Sequence, residues 1–136
     1  MAGEVLKTTA LLTSNTFSSR FESGHIAFMG GDAPKPTELV VAALAGCSGL
    51  TFRGMLDKMQ VACAKIEVEV EGERREERPT SFCRFKVRYH VWGKDLDASK
   101  LEKAMELTEA YCPVLQTLIK AGPVESSVVI EEVSAR

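Results

Sequence analysis

Four cysteines, at positions 47, 63, 83 and 112, are the side chains of this sequence best suited to chemistry, and they stand in different contexts. Cysteine is among the most buried residue types, and a buried thiol is by default an inert small hydrophobe. That default suits Cys63, at the entry to a strand, and Cys83, which continues the apolar face of another. Cys47 lies in "VVAALAGCSGL", where Ala42, Ala43, Ala45, Gly46 and Gly49 leave room beside the sulfur for a substrate or a second sulfur. Cys112 lies in "AYCPVLQTL". A residue before proline avoids helical angles, while a proline suits the first turn of a helix, so Cys112 belongs at a break between two helices. Amide donors and the positive end of a helix dipole at that break would favour its thiolate. A disulfide needs Cα atoms within roughly 7 Å. The 65 positions between Cys47 and Cys112 leave open whether the pair is redox-active or merely two structural thiols.

The four cysteines form no CxxC pair and no zinc-like cluster with His25 and His90. With 136 residues, 45% of them hydrophobic and 26% charged, the chain has the size and composition of a single globular domain spanning residues 1–136. A net charge of −2 gives no electrostatic argument for nucleic acid or an anionic membrane. The opening "MAGEVLKTTA" lacks an apolar run of signal-peptide length. The longest uncharged run, Leu39 to Phe52, is 14 residues. That is short of the roughly 20 needed to span a bilayer. These features imply a cytoplasmic protein whose cysteines rest as thiols.

The elements that must hold the two cysteines follow from periodicity. "EVLKTTALL" and "TFSSRFESG", separated by Thr13, Ser14 and Asn15, form an N-terminal hairpin; "GHIAF" adds a third strand before the Gly/Pro-rich loop "MGGDAPKP". From Thr37 to about Gln60 the residues favour helix, with Pro36 at its start. Its first half is apolar all round, which predicts a helix enclosed on several sides. "KIEVEVEGE" alternates Ile66, Val68 and Val70 with Glu67, Glu69 and Glu71. "FCRFKVRYHVW" alternates Cys83, Phe85, Val87, Tyr89 and Val91 with Arg84, Lys86, Arg88 and His90. Opposite charges on the two solvent faces predict an antiparallel hairpin across "GERREERPT". Asp97 can cap a helix carrying Leu101, Met105, Thr108 and Cys112 at helical spacing, and "SSVVIEEV" closes the chain as a strand. This order has no repeating parallel βαβ unit and argues for an α+β fold with mainly antiparallel strands.

"PTELVVAALAGCSGLTF", followed much later by "AYCPVLQTL", resembles the OsmC/Ohr family, the osmotically inducible and organic hydroperoxide resistance proteins. The likeness covers nearly the whole chain, and "KPTELVVAALAGC" is closer to the YhfA-type, OsmC-like branch than to the established peroxidases. The resemblance implies an intertwined homodimer with the long central helix buried at its heart. It also implies a thiol peroxidase for organic hydroperoxides, with Cys47 as the peroxidatic thiolate and Cys112 as the resolving thiol that joins it in a disulfide. A lipoylated protein or similar dithiol would close the cycle, and the resemblance implies no metal or organic cofactor. General thiol chemistry agrees, since a nearby second thiol intercepts a sulfenic acid before it over-oxidises.

Two further site residues come from the resemblance, each beside a structural reading. The family places a glutamate ten positions before the first cysteine; here that position is Thr37, and Glu38 follows it. Nine residues on an unbroken helix are two and a half turns, which would set Glu38 opposite Cys47 and suit it to helix-terminal charge instead. The family also uses an early arginine to stabilise the thiolate, and Arg20 is the candidate. With Phe17 and Phe21 inward in "FSSRF", Arg20 points away from the core, from where it could serve a partner subunit. His25 is a third candidate for charge near the site, against a satisfied loop histidine. The departures at Thr37 and Arg20 imply slower turnover than in established peroxidases, or a redox sensor or small-ligand binder without efficient turnover.

Overall fold

A computed structural model describes residues 3–132 of the chain. They fold into six strands and three helices, an α+β arrangement with two separate three-stranded sheets. The chain divides into two compact units, with the boundary between Val40 and Val41.

In the first unit, β1 (Thr8–Thr13), β2 (Thr16–Phe21) and β3 (Ile26–Met29) form an antiparallel meander. Ser14 turns the first hairpin with φ 61°. The loop after β3 needs Gly30 and Gly31 at φ 84° and 56°, the left-handed region that glycine enters without strain. Ser19 is buried, but Phe17 and Phe21 on the same face stay 38% and 41% exposed, so they do not point into a core as the sequence implied.

Helix α1 runs from Pro36 to Lys58. Proline at its first position loses no helical hydrogen bond, because the first amides of a helix have no partner within it. At the other end Gln60 takes φ 58°. Gln60 N donates to Asp57 O at 3.1 Å and Val61 N to Leu56 O at 2.9 Å, a double closure that satisfies the last carbonyls. Length and hydropathy would let α1 cross a membrane, yet Leu44, Ser48, Phe52 and Leu56 form a stripe buried in the protein core. The opposite face is not enclosed: Ala43 and Gly46 are exposed, and Leu50 keeps 79% of its surface. The all-round apolar composition therefore did not translate into all-round burial within the chain.

The second unit is built on β4 (Lys65–Arg74) and β5 (Phe82–Gly93), an antiparallel pair in which Glu67, Glu69, Glu71 and Glu73 stand opposite His90, Arg88, Lys86 and Arg84. Arg88 Nη1 reaches Glu69 Oε2 at 3.2 Å. After β5 come α2 (Ala98–Tyr111), α3 (Pro113–Leu118) and β6 (Val124–Glu132). Strand β6 pairs parallel to β5, so the sheet is mixed and contains one crossover that the sequence order did not disclose. Asp97 caps α2, its carboxylate accepting from Ser99 N at 3.0 Å. Phe85, Val87, Tyr89 and Val91 of β5 face Leu44, Phe52 and Leu56 of α1, together with Leu101, Ala104, Cys112 and Leu115, in one buried cluster.

Candidate active site

Each cysteine of interest sits at a boundary. On α1, Cys47 precedes Ser48 of the buried stripe by one residue, a rotation of about 100° on a helix. It is therefore half-buried at the edge of the core rather than inside it. Cys112 lies at the joint where α2 stops and Pro113 starts α3, with φ −72° and ψ 115°, outside the helical region. The break expected from "YCPV" is thus present. Its amide still donates to Thr108 O at 2.8 Å, and its carbonyl accepts from Gln116 N at 2.9 Å, so the joint is tied to both helices.

The two thiols are neighbours: Cys47 packs against the buried cluster that holds Cys112 and acts on its sulfur. Cys112 is fully buried, and burial is the main reason its thiol pKa is pushed up. Neighbouring Cys47 pushes it in the same direction. The Leu115 and Val114 amides facing the sulfur pull it down, without completing a cap hydrogen bond, and do not outweigh the desolvation. This corrects the thiolate-favouring environment read from the sequence, which registered the amides but could not register the burial. Cys112 is held as a thiol, and Cys47 is the more accessible of the two.

Ser48 and Tyr89 complete the surroundings, and neither stood out as functional in the sequence. Ser48 is buried and its hydroxyl donates to Leu44 O at 2.6 Å. Tyr89 is fully buried, stacked on Phe52 with ring centroids 4.4 Å apart. The signal for Tyr89 was a hydroxyl placed in a strand face otherwise made of Cys, Phe and Val.

The remaining candidates stand elsewhere. Glu38 Oε1 accepts a hydrogen bond from Lys35 N at 3.1 Å, the helix-start arrangement of its structural reading. Arg20 is exposed on β2 in the first unit, opposite Thr9 on β1 and Ile26 on β3. His25 Nδ1 lies 3.0 Å from Ser23 Oγ in an exposed loop, as a satisfied surface histidine would. Cys63 is half-buried against the core, and Cys83 donates weakly to Glu73 O at 3.4 Å. Among the described residues, no three His, Cys, Asp or Glu side chains are grouped to hold a metal ion.

The sequence profile of the family described as OsmC-like protein matches residues 29–127, which include both thiols and the helices that carry them. The chain belongs to the OsmC-like family. The OsmC-like chain is 36% identical over 111 residues to Protein YhfA of Escherichia coli K12, an alignment covering 78% of this chain and 83% of that one. A hypothetical protein of Aquifex aeolicus VF5, solved by crystallography, matches with a TM-score of 0.88 at 27% identity, over 97% of this chain and 100% of the other. The fold also matches an organic hydroperoxide resistance protein OsmC of Legionella pneumophila, with TM-score 0.73 and 16% identity over 94% and 98% of the two chains.

Proposed function

We propose that this OsmC-like protein is a thiol peroxidase for organic hydroperoxides, working in the cytoplasm through Cys47 and Cys112. The Cys47 thiolate attacks the hydroperoxide: an S–O bond forms, the O–O bond breaks, and the departing alkoxide takes a proton to leave as an alcohol. Cys112 then displaces hydroxide from the Cys47 sulfenic acid, giving a disulfide and water. An external dithiol, such as a lipoylated protein, restores both thiols by exchange. The observation that carries this reading is the proximity of two thiols 65 positions apart in the chain. Their unequal burial supports the division of labour, with the accessible thiol attacking and the buried one held in reserve.

A homodimer belongs to the same reading. The uncovered face of α1, with Ala43, Gly46 and Leu50, offers small residues that let a second copy approach closely. Arg20 and Glu38 remain the candidates for charge at the thiolate. The bond from Lys35 N to Glu38 favours a second reading, in which turnover is slow and the thiol pair acts as a redox sensor.

The test is reduced protein mixed with tert-butyl hydroperoxide or hydrogen peroxide, followed by mass spectrometry of both cysteines and by turnover with dihydrolipoamide. Cys47→Ser is expected to lose turnover by roughly a thousandfold or more, as removal of a covalent nucleophile does. Cys112→Ser should consume one equivalent of peroxide to reach the Cys47 sulfenic acid and, with no resolving thiol, a second to over-oxidise it to the sulfinic acid. Full turnover by Cys47→Ser would refute the peroxidase reading, and a disulfide that forms without turnover would favour the sensor.

A further inference from the structure

The hydroxyl of Tyr89 is a buried polar group without a hydrogen-bond partner. The nearby Ser48 hydroxyl gives its proton to Leu44 O at 2.6 Å and makes no formed bond to the phenol. Leaving such a group unpaired costs about 1–3 kcal/mol, and a phenylalanine would fill the same space against Phe52 without that cost. The unpaired hydroxyl lies in the same cluster as Cys112, close enough for charge on that sulfur to act on it. Burial pushes the phenol up to about 12, outweighing the opposing pull of Ser48, with smaller upward contributions from the charges of Cys112 and Glu109. Tyr89 therefore keeps its proton wherever thiols titrate and has it available to donate.

We propose that the Tyr89 hydroxyl donates a hydrogen bond to the Cys112 sulfur as that sulfur becomes a thiolate, making Tyr89 the positioning residue for the resolving half of the thiol cycle. The inference rests on reading Cys47 and Cys112 as a redox pair. In that half-cycle the S–S bond forms and the S–O bond of the Cys47 sulfenic acid breaks. The hydroxide leaves with the proton released by Cys112, as water. The Cys47 sulfur is reduced, the Cys112 sulfur is oxidised, and Tyr89 keeps its proton throughout. A buried thiol raised by desolvation needs such help, because its charged form is the nucleophile. Around it stand Cys47 from α1, Tyr89 from β5, the Val114 and Leu115 amides of α3, and Glu109 of α2, whose charge reaches the phenol. Of these side chains Tyr89 brings a buried hydroxyl that no formed hydrogen bond commits.

The experiment compares Cys47→Ser with Cys47→Ser/Tyr89→Phe and needs no peroxide. Iodoacetamide labelling of the Cys112 peptide is followed by mass spectrometry across pH, beside the Tm of each protein. Losing the donor should raise the Cys112 labelling midpoint by about one pH unit, roughly a tenfold loss of thiolate at neutral pH. In the otherwise unaltered chain, Tyr89→Phe should leave Cys47 sulfenic acid formation by tert-butyl hydroperoxide unchanged and slow its conversion to disulfide about tenfold. A folded Tyr89→Phe protein with an unmoved midpoint overturns the proposal. If that variant fails to fold, 3-fluorotyrosine in a Tyr111→Phe background supplies a stronger donor at position 89 and should lower the midpoint; no shift overturns the proposal equally. A moved midpoint in a protein that forms no sulfenic acid would uphold the Tyr89–Cys112 contact while rejecting the peroxidase reading.

Discussion

In the first sheet Leu11, Leu12, Phe17, Phe21, Ile26 and Phe28 each keep more than a third of their surface exposed, whereas Phe85, Val87, Tyr89 and Val91 of β5 keep 1% or less. Both sheets have three strands, so strand number does not explain the contrast. The second unit has α1 residues from Val41 onward, α2 and α3 to lay over its apolar face, and with them it closes a core. The first unit has three short strands and the opening turn of α1. A small sheet with uncovered apolar faces is marginal by itself and calls for a cover. In the proposed homodimer that cover is a second copy of the chain.

The sharpest way to break this comparison is to truncate one phenylalanine in each unit. Phe52→Ala removes a fully buried ring stacked on Tyr89 and should cost about 3–5 kcal/mol in urea unfolding. Phe17→Ala should cost far less folding free energy and show its effect as weaker self-association in light scattering. Equal losses would erase the distinction between the units. A smaller effect is expected at Gly122, where an added Cβ would meet Cys83 O at 1.8 Å. Gly122→Ala should force the chain away from β5 and cost about 1–3 kcal/mol, again in the second unit only.

The smallest effect is at Asp97, where the Ser99 hydroxyl and then the Ser99 amide hold the carboxyl below its usual pKa. Because the folded pKa is depressed, this stabilisation is present above the unfolded value of 3.8 and fades as pH falls through the folded one. Asp97→Ala should lower the Tm by a few degrees at pH 7, and the two Tm curves should converge in acid.

What the sequence disclosed was whatever depends on neighbours in the chain. The alternation of Glu with apolar residues in β4, and of Arg, Lys and His with apolar residues in β5, defined that hairpin. Pro113 placed the helix break at Cys112, and Asp97 marked the start of α2. What stayed hidden depends on desolvation and long-range pairing. The parallel placement of β6 leaves no local mark, since a half-buried strand alternates in the same way whichever direction its neighbour runs. The thiolate-favouring surroundings read for Cys112 reversed because local amides are visible in "CPVL" whereas the burial around them is not. The open face of α1 was hidden for a related reason, because composition reports how apolar a helix is and not how many of its faces its own chain covers. Arg20 and Glu38 came from the family resemblance rather than from local chemistry, and each residue's own surroundings show only what it does locally.

The charge ladder between β4 and β5 has a consequence for how that hairpin chooses its alignment. Sliding one strand by two residues would still set glutamates against basic residues, with Glu69 meeting Lys86 and Glu71 meeting Arg84, and would keep every apolar side chain on the same face. Electrostatics alone is therefore degenerate to such a slip. The ambiguity is removed at the closed end, where the pairing shifts between Glu73 and Arg74 and the Arg74 Nε donates to Thr80 O at 2.7 Å, fixing a single phase for the whole ribbon.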